Sequence, residues 1–441
     1  MSDCFPQKFT PEKHVPAWQQ VRVENLSFLQ SALNVVSYIR KSIYKKYSAP
    51  TEELKHFAGQ RQIFRHLLNQ PAPTDSIRLG LVGDIMWLRD GWEGFLDGGV
   101  LDYLSAHEAV LGNLESVISS RFKVPSLLPD YFTYNSHPHL IQAFRRPDGR
   151  STFSALSVAN NHALDRGEPG ARDTLSLLDQ LQIPHSGISF SKEERPYVVF
   201  EVNGIKVGFY AAAWGLNSFV APNPNVHMNA LPAGIFEPGA RIELPEIRNV
   251  LANMAADGCE YRVIAVHWGY EFEYYPCPRV MCVAREIVRE GADLVLGTHP
   301  HVQQPCETLF VNGHESQLPG AIRDIAKTQS TLTADGPPRK AMIAYSMGNL
   351  ATTMFTFECK VGWILSLRLF RDSSGRIDWK PDASGFVMNV PRLGPTRERR
   401  LMMLDDYRRI MGKYRRIPQW EEQYFAFLEE HLLGDPAPPT A

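Results

Sequence analysis

The feature that most constrains this chain is a series of short apolar runs between residues 78 and 345, several of them separated by segments with helical spacing. Apolar runs bounded by turn residues predict buried strands, and their alternation with helices predicts an α/β sandwich whose helices cover the sheet faces. The predicted strands are 78–84, 109–113, 153–158, 197–202, 206–213, 261–266, 292–296 and 341–345. The predicted helices between them are 168–181, 243–257 and 278–290.

Two turn signals add hairpins to this pattern. Asn203-Gly204 separates two apolar runs and predicts a tight turn between adjacent antiparallel strands. Asp372-Ser-Ser-Gly375 separates the runs 362–370 and 377–380, so a second hairpin is expected near the end of the sheet region.

Composition places the chain among ordinary globular proteins. Hydrophobic residues make up 44% of the 441 positions and charged residues 21%, so a substantial core is available. The formal net charge of -2 gives no overall field that favours nucleic acid or anionic lipid. The first residues lack the pattern of a secretory signal, and no run reaches about 18 uninterrupted apolar residues. A cytoplasmic protein with no integral membrane span and no nucleic-acid partner is expected.

The six cysteines are sparse and lack a repeated spacing, so reduced thiols are expected. A structural zinc site at Cys277 and Cys282 is the alternative, but a second close cysteine pair is missing. Domain boundaries follow from changes in pattern. We expect a helical N-terminal extension over residues 1–75, a catalytic domain over 76–395 and a helical C-terminal extension over 396–441.

Polar residues with metal-binding side chains follow five of the apolar runs directly. In an α/β sheet this position is the edge where ligands bind. Imidazole nitrogens and carboxylate oxygens together suit zinc, manganese or iron. The segments are Gly83-Asp84, Asn113-Leu-Glu115, Asn160-Asn161-His162, His267-Trp-Gly269 and Gly297-Thr-His299-Pro-His301.

Each segment taken alone has a structural alternative. An aspartate after a glycine, such as Asp84, is also typical of a residue that caps the start of a helix, and Asn113 and Glu115 are also typical of turns and caps. A lone His267 is more often a hydrogen-bonded core residue. His299 and His301 alternate directly after a buried run, which favours two neighbouring ions or one ion and its substrate. The order of all five segments together favours a metal site.

These segments, extended by Ala159-Asn-Asn-His162-Ala-Leu-Asp165-Arg-Gly167, His267-Trp-Gly-Tyr-Glu271 and Tyr345-Ser-Met-Gly-Asn349, resemble the CapA family. This family of capsule and poly-γ-glutamate synthesis proteins is related to the calcineurin-like metallophosphoesterases. The resemblance covers residues 78 to about 355. It implies a four-layer α/β/β/α sandwich with metals at one edge.

The resemblance also implies roles for individual residues. Asp84 and His301 would bind a first metal ion, and Asn161, His267 and His299 a second. Glu115 or Asn113 would be the shared ligand. His162 would be a general acid or charge stabiliser, with Asp165 and Glu271 as further candidate catalytic residues. Met86 replaces an expected histidine, and a thioether is a poor ligand for a hard divalent ion. One tight ion and a second, weaker ion are therefore expected.

The predicted function is that of a metal-dependent, hydrolase-like enzyme of capsule or poly-γ-glutamate-type biosynthesis. A metal-activated water would attack an amide or peptide-like, glutamate-like substrate carrying negative charge. Two alternatives stay open: a metal-dependent phosphoesterase, and a catalytically silent accessory protein that binds a polymer.

Overall fold

A computed structural model describes residues 49–86, 93–124, 133–217, 225–232, 234–237, 239–393, 398–414 and 417–434. Within these ranges the strands, in chain order, are β1 Ser76–Met86, β2 Ala109–Glu115, β3 Ala155–Ser157, β4 His185–Ser186, β5 Ile188–Ser189, β6 Tyr197–Val202, β7 Ile205–Ala213, β8 His227–Met228, β9 Tyr261–His267, β10 Leu294–Thr298, β11 Gln303–Val311, β12 Thr331–Leu332, β13 Arg339–Met347, β14 Asn349–Ala351, β15 Val361–Arg371, β16 Ile377–Leu393 and β17 Glu398–Met403.

The helices of the same ranges are α1 Thr51–Leu68, α2 Gly98–Ser105, α3 His139–Gln142, α4 Gly167–Gln180, α5 Pro245–Ala256, α6 Pro278–Arg289, α7 Gly320–Gln329, α8 Leu404–Tyr414 and α9 Gln419–Leu433. None of these helices is both long enough and apolar enough to cross a bilayer. The cysteines of the described residues are thiols. Cys4 lies outside the described residues.

Most strands belong to two large sheets. The first has the order β17-β16-β15-β1-β2-β3-β4, with β14 also paired to β1. The second has the order β12-β11-β13-β10-β9-β7-β6, and β5 pairs with β8 alone. In the first sheet β1, β2 and β3 run parallel, as do β7, β9, β10 and β13 in the second. In each sheet, the carboxyl ends of several parallel strands therefore lie side by side at one end of the sheet.

The core lies between the two sheets. Leu81 and Leu365 of the first sheet and Phe209 and Leu296 of the second are fully buried in one hydrophobic cluster. On the outer face of the first sheet, residues of α2 and α4 pack in a second cluster, and residues of α5 and α6 cover the second sheet. The order of layers is helix, sheet, sheet, helix, which confirms the expected α/β/β/α sandwich.

Both predicted hairpins are present. β6 and β7 pair as antiparallel strands around Asn203 and Gly204, whose φ angles are 46° and 77°. Two consecutive residues with positive φ are typical of the tight turn that suits the twist of a hairpin. β15 and β16 pair in the same way around the turn that contains Gly375.

The flanking segments differ in how they attach. Residues 1–48, with the predicted N-terminal helix, lie outside the described residues. α1 packs on the sandwich, where Gln60 Nε2 donates to Ser330 Oγ at 2.7 Å and Gln60 Oε1 accepts from the Thr308 backbone N–H at 2.8 Å. In the C-terminal stretch, helices α8 and α9 follow a strand, β17, where the sequence pattern predicted helix. Pairing of β17 with the edge of β16 outweighs local helix preference there and buries Leu401 and Met402.

Candidate metal centre

The strand ends bring side chains from both sheets to one place. Asp84 lies near the end of β1, Glu115 ends β2, and Asn161 follows β3, all in the first sheet. His267 ends β9, and His301 follows β10, in the second sheet. Because these parallel strands end at the same edge of the sandwich, residues far apart in sequence become neighbours. All five segments predicted from the sequence meet here.

Asp84 is held by three neighbours. Its Oδ1 accepts a hydrogen bond from Asn113 Nδ2 at 2.8 Å, and its Oδ2 accepts one from the His299 backbone N–H at 3.2 Å. The same Oδ2 lies 3.4 Å from His301 Nδ1. The register of β1 against β2 shifts just before Asp84, an irregularity of the kind that redirects a side chain near an active site. Asn113 thus presents its amide N–H group, and not its oxygen, to Asp84.

Glu115 lies at the centre of these side chains. We call the group the cluster; it consists of Asp84, Glu115, Asn161, His267, His299 and His301. Its side chain is fully buried, with Oε1 3.4 Å from His267 Nε2 and Oε2 3.8 Å from His301 Nδ1. Within the described ranges neither oxygen has a hydrogen-bond partner. Glu115 belongs to two groups whose potential ligand atoms lie within 4.8 Å of one another, one with Asp84 and His267 and the other with His299 and His301. Both groups share Glu115.

His267 is oriented through both of its ring nitrogens. Nδ1 lies 3.0 Å from Thr298 Oγ1, and Nε2 lies 2.8 Å from Asn161 Oδ1. The ring of His299 packs against it with centroids 4.7 Å apart. Among the described residues, Nδ1 of His299 has no hydrogen-bond partner although it is buried. These contacts aim Nε2 of His267 at the point that Asn161 and Glu115 also face.

His162 lies beside the cluster and forms a pair with Asp165. His162 Nδ1 and Asp165 Oδ2 are 2.6 Å apart, and both side chains are almost fully buried. The ring of Tyr134 stacks on the imidazole with centroids 3.6 Å apart, and the Tyr134 backbone N–H donates to Asp165 at 2.5 Å. The histidine is therefore fixed in both its plane and its direction.

Glu271 and Met86 take up different positions around the cluster. Glu271 Oε1 lies 3.9 Å from His301 Nε2, and its side chain is 14% exposed, so it is more accessible to solvent than the fully buried Asp84 and Glu115. Met86 is buried with Tyr134, Phe272 and Tyr274 in an apolar cluster. The structure thus gives Met86 a packing role where the resemblance expected an imidazole.

The backbone around the histidines adopts uncommon conformations. His299 has φ 101°, His301 has φ 58° and Phe272 has φ 66°. Positive φ is unfavourable for residues with a β-carbon, and such residues cluster at functional sites because the surrounding structure holds them there. The alternation His299-Pro-His301 is therefore a strained turn and not a continued strand.

Burial and mutual charge shift the pKa values of the cluster. Burial raises the pKa of Glu115 well above its usual value, and the charges of Asp84 and Glu271 add to this effect. Burial lowers the pKa of His267 to about 3 and that of His299 well below its usual value. Burial opposes the charged forms of Asp84 and His301, but their mutual hydrogen bond and attraction lower the pKa of Asp84 and raise that of His301.

Several residues of the site were not predicted from the sequence. Asn349 Oδ1 lies 3.0 Å from His301 Nδ1, Thr298 contacts His267, and Asn217 contacts both Asn161 and His162. Asn349 ends the segment Tyr345-Ser-Met-Gly-Asn349, which directly follows an apolar run, and this was an available signal. Asn217 follows no such pattern.

The chain is similar to known capsule synthesis proteins. Residues 78–354 match the family described as bacterial capsule synthesis protein PGA_cap. The capsule biosynthesis protein CapA of Bacillus anthracis is 28% identical over 241 residues, which cover 52% of this chain and 56% of that protein. The PGA biosynthesis protein CapA of Bacillus subtilis (strain 168) is 32% identical over 157 residues, which cover 35% of this chain and 38% of that protein.

The chain is also similar to a crystal structure described as a novel phosphatase from Mycoplasma pneumoniae. The aligned part covers 70% of this chain and 93% of the phosphatase chain, with a TM-score of 0.37 and 12% sequence identity. That likeness is too distant to bear on fold or function. The chain spans about half or less of the length of the two Bacillus relatives. The family match, however, takes in more than half of this chain and every candidate ligand from Asp84 to His301. The chain therefore belongs to the family of bacterial capsule synthesis proteins PGA_cap.

Proposed function

We propose that this protein is a metal-dependent, hydrolase-like enzyme that acts on an amide or peptide-like, glutamate-like anionic substrate in capsule or poly-γ-glutamate-type biosynthesis. Glu115 carries the proposal. Its two oxygens are buried between His267 and His301 without a hydrogen-bond partner in the described part of the chain. An unsatisfied buried polar group costs about 1–3 kcal/mol, and more when it is charged. A cation bound between the histidines would remove that cost.

The donor set fits a divalent ion. Carboxylate and amide oxygens combined with imidazole nitrogens suit manganese, zinc or iron. Burial keeps His267 and His299 neutral, which is the form that binds metal. Following the family resemblance, we assign Asn161, His267 and His299 to one ion and Asp84 and His301 to a second, with Glu115 shared. This division differs from the two groups of neighbouring ligand atoms, which place Asp84 with His267 and His299 with His301. A bound ion would supply electrophilic polarisation of the scissile carbonyl and a lowered pKa for the attacking water.

His162 provides the proton transfer. Nδ1 of His162 lies 2.6 Å from Asp165 Oδ2. Because a carboxylate can only accept a hydrogen bond, Nδ1 carries the proton and donates it to Asp165. This fixes Nε2 as the atom that exchanges a proton with the leaving group. The stacked Tyr134 ring covers one face of the imidazole and limits its rotation. His162 and Asp165 thus act as a general acid and its positioning partner.

Glu271 is assigned to the substrate side of the cluster. It is partly exposed next to His301, whereas Asp84 and Glu115 are fully buried. A partly exposed carboxylate beside His301 can accept hydrogen bonds from the N–H groups of an amide substrate. Glu271 is for this reason a candidate for orienting the scissile amide, and it would also disfavour substrates with a negative charge at that point.

Two alanine variants test the proposal. His162→Ala should abolish hydrolysis of γ-glutamyl amides while the metal content, measured by elemental analysis, stays at the wild-type level. His267→Ala should lower both. His185→Ala serves as the control because His185 lies in β4 and contacts the Ile183 carbonyl, outside the cluster.

The same assay separates the alternatives. Turnover of phosphodiesters with two tightly bound metal equivalents would replace the proposal with a phosphoesterase. Polymer binding without turnover of any substrate class would replace it with an accessory protein. Wild-type protein that holds no metal after gentle purification and binds none on titration would contradict all metal-dependent catalysis at this site.

A further inference from the structure

Asn217 joins the proposed metal ligands to the proposed proton donor. It lies four residues beyond the end of β7, in a segment that follows the site closely: the Trp214 backbone N–H donates to the His267 carbonyl at 2.9 Å, and the Asn217 backbone N–H donates to the Asn161 carbonyl at 3.1 Å. These two backbone bonds fix the position of the Asn217 side chain relative to Asn161.

The side chain of Asn217 contacts two functional groups. Its Oδ1 accepts a hydrogen bond from Asn161 Nδ2 at 3.2 Å. Its Nδ2 lies 3.3 Å from Nδ1 of His162, the ring atom that also contacts the Asp165 carboxylate. The proton on Nδ1 of His162 is directed at Asp165, so Asn217 Nδ2 borders this ring atom without donating to it, and the oxygen of Asn217 faces Asn161.

The orientation of the Asn161 amide decides whether it can bind a cation. Only the oxygen of an amide has lone pairs for a metal ion, whereas its NH2 group would repel one. Asn161 Oδ1 lies 2.8 Å from His267 Nε2, at the point that Glu115 also faces. The opposite end of the same amide is the Nδ2 that donates to Asn217. Rotating the amide by half a turn would place two oxygens against each other at Asn217.

We propose that Asn217 is a positioning residue that holds the Asn161 oxygen towards the metal position, and that it does so from the same side chain that borders His162. This inference rests on the metal assignment of the proposed function. Partners of metal ligands typically contribute about 10- to 100-fold to metal affinity. Asn217 should contribute in that range, although it does not itself contact the metal position.

A double-mutant cycle with Mn²⁺ alone tests this role. Mn²⁺ is titrated into metal-free full-length protein by calorimetry for the wild type, Asn217→Ala, Asn161→Ala and the double variant. Asn217→Ala should weaken binding about 10- to 100-fold. The double variant should bind no more weakly than Asn161→Ala, because Asn217 acts only through Asn161.

Two further variants separate this role from a general effect on folding. Asn217→Asp keeps an acceptor for Asn161 and should bind Mn²⁺ at least as tightly as the wild type. Asn253→Ala changes an exposed asparagine of α5 and should leave binding unchanged. The melting temperature of each metal-free variant is measured in parallel.

Wild-type affinity in Asn217→Ala would overturn the inference and leave the proposed function standing. Additive losses in the double variant would do the same. Absence of Mn²⁺ binding by the wild type would instead overturn the proposed function on which the inference rests.

Discussion

Gly83 faces the backbone of Gly348 so closely that a β-carbon on Gly83 would lie 1.8 Å from the Gly348 carbonyl oxygen. The same oxygen accepts a hydrogen bond from the Asp84 backbone N–H at 3.0 Å. Gly348 connects β13 of the second sheet to β14, which pairs with β1 of the first. The chain therefore passes from one sheet to the other directly beside Asp84, and only glycine fits at Gly83.

Gly83→Ala should damage both the fold and the metal site. The added methyl group must push β14 away from β1, and such overpacking typically costs about 1–3 kcal/mol. The displaced Asp84 should also weaken metal binding. Urea unfolding and Mn²⁺ titration measure the two effects. Gly98→Ala is the control, because a β-carbon there meets no atom within 4 Å. Equal stability of the two variants would contradict the close packing.

Asp165→Asn should reduce turnover without releasing metal. The amide cannot hold the Nδ1 proton of His162 as a carboxylate does, so the imidazole loses its fixed direction. General acid catalysis typically contributes about 10²- to 10⁴-fold, which sets the expected loss in kcat. Asp179→Asn is the control, since that side chain is 73% exposed. Metal loss in Asp165→Asn would show that Asp165 supports the ligands and not the proton transfer.

The two metal positions should differ in affinity. Asn161, His267, His299 and Glu115 supply four protein ligands to one position, whereas the other has Asp84, His301 and the shared Glu115. Met86, buried among aromatic rings, adds no further ligand to that second position. Gently purified protein should contain nearer one metal equivalent than two. His267→Ala should lower this content more than Asp84→Ala does. Two tight equivalents in the wild type would contradict the inequality.

Glu307→Ala should be strongly destabilising although it lies outside the site. Glu307 is fully buried, accepts a hydrogen bond from Arg285 Nε at 2.7 Å and another from the Tyr345 hydroxyl at 2.6 Å. Its removal leaves a buried guanidinium uncompensated, a change that typically costs about 3–5 kcal/mol. The exposed pair Arg241 and Glu243 provides the control, where Glu243→Ala should cost under about 1 kcal/mol. Urea unfolding compares the two.

His107 should make the fold less stable in acid. Burial and the nearby charge of Arg78 lower its pKa from an ordinary 6.5 to about 4 in the folded state. Between these values the unfolded chain binds more protons, so stability falls as pH falls. At pH 5 the loss from this group should be about 2 kcal/mol relative to pH 8. His107→Gln should remove that part of the dependence in urea unfolding at the two pH values.

The control for His107 is the matching substitution of exposed His137, which should retain the wild-type difference between pH 8 and pH 5. Glutamine can keep a contact with Ser366, whose Oγ lies 2.8 Å from His107 Nε2. An unchanged pH dependence in His107→Gln would show that other buried groups cause the loss.

The elements that place the site were largely predictable from the sequence, since β1, β2, β9 and β10 each contain a short apolar run. β11 was not predicted, because it is buried on both faces yet includes Gln303, Glu307 and Thr308, polar residues whose partners come from distant elements. α7 was likewise missed. The sequence pattern of such a polar strand predicts a loop, because the distant hydrogen-bond partners that stabilise the strand are not visible in the local sequence.

Within the site, the candidate ligands could be predicted because their types and positions follow the strand ends. Their orientation could not. The positive φ of His299 and His301 depends on a turn stabilised by contacts with Asp84 and Asn349. Asn217 reaches Asn161 only because the chain after β7 passes beside β9. Neither relationship leaves a local sequence pattern.

The meeting of both sheets at the cluster has a mechanical consequence. Asp84, Glu115 and Asn161 lie in or after strands of the first sheet, and His267, His299 and His301 lie in or after strands of the second. An ion held by both sets would cross-link the two halves of the sandwich, much as a disulfide links distant segments. A ligand at 100 times its dissociation constant stabilises a folded protein by about 2.7 kcal/mol. Removal of the ion by a chelator should then lower the stability of the whole sandwich, and not only that of the residues that bind the ion.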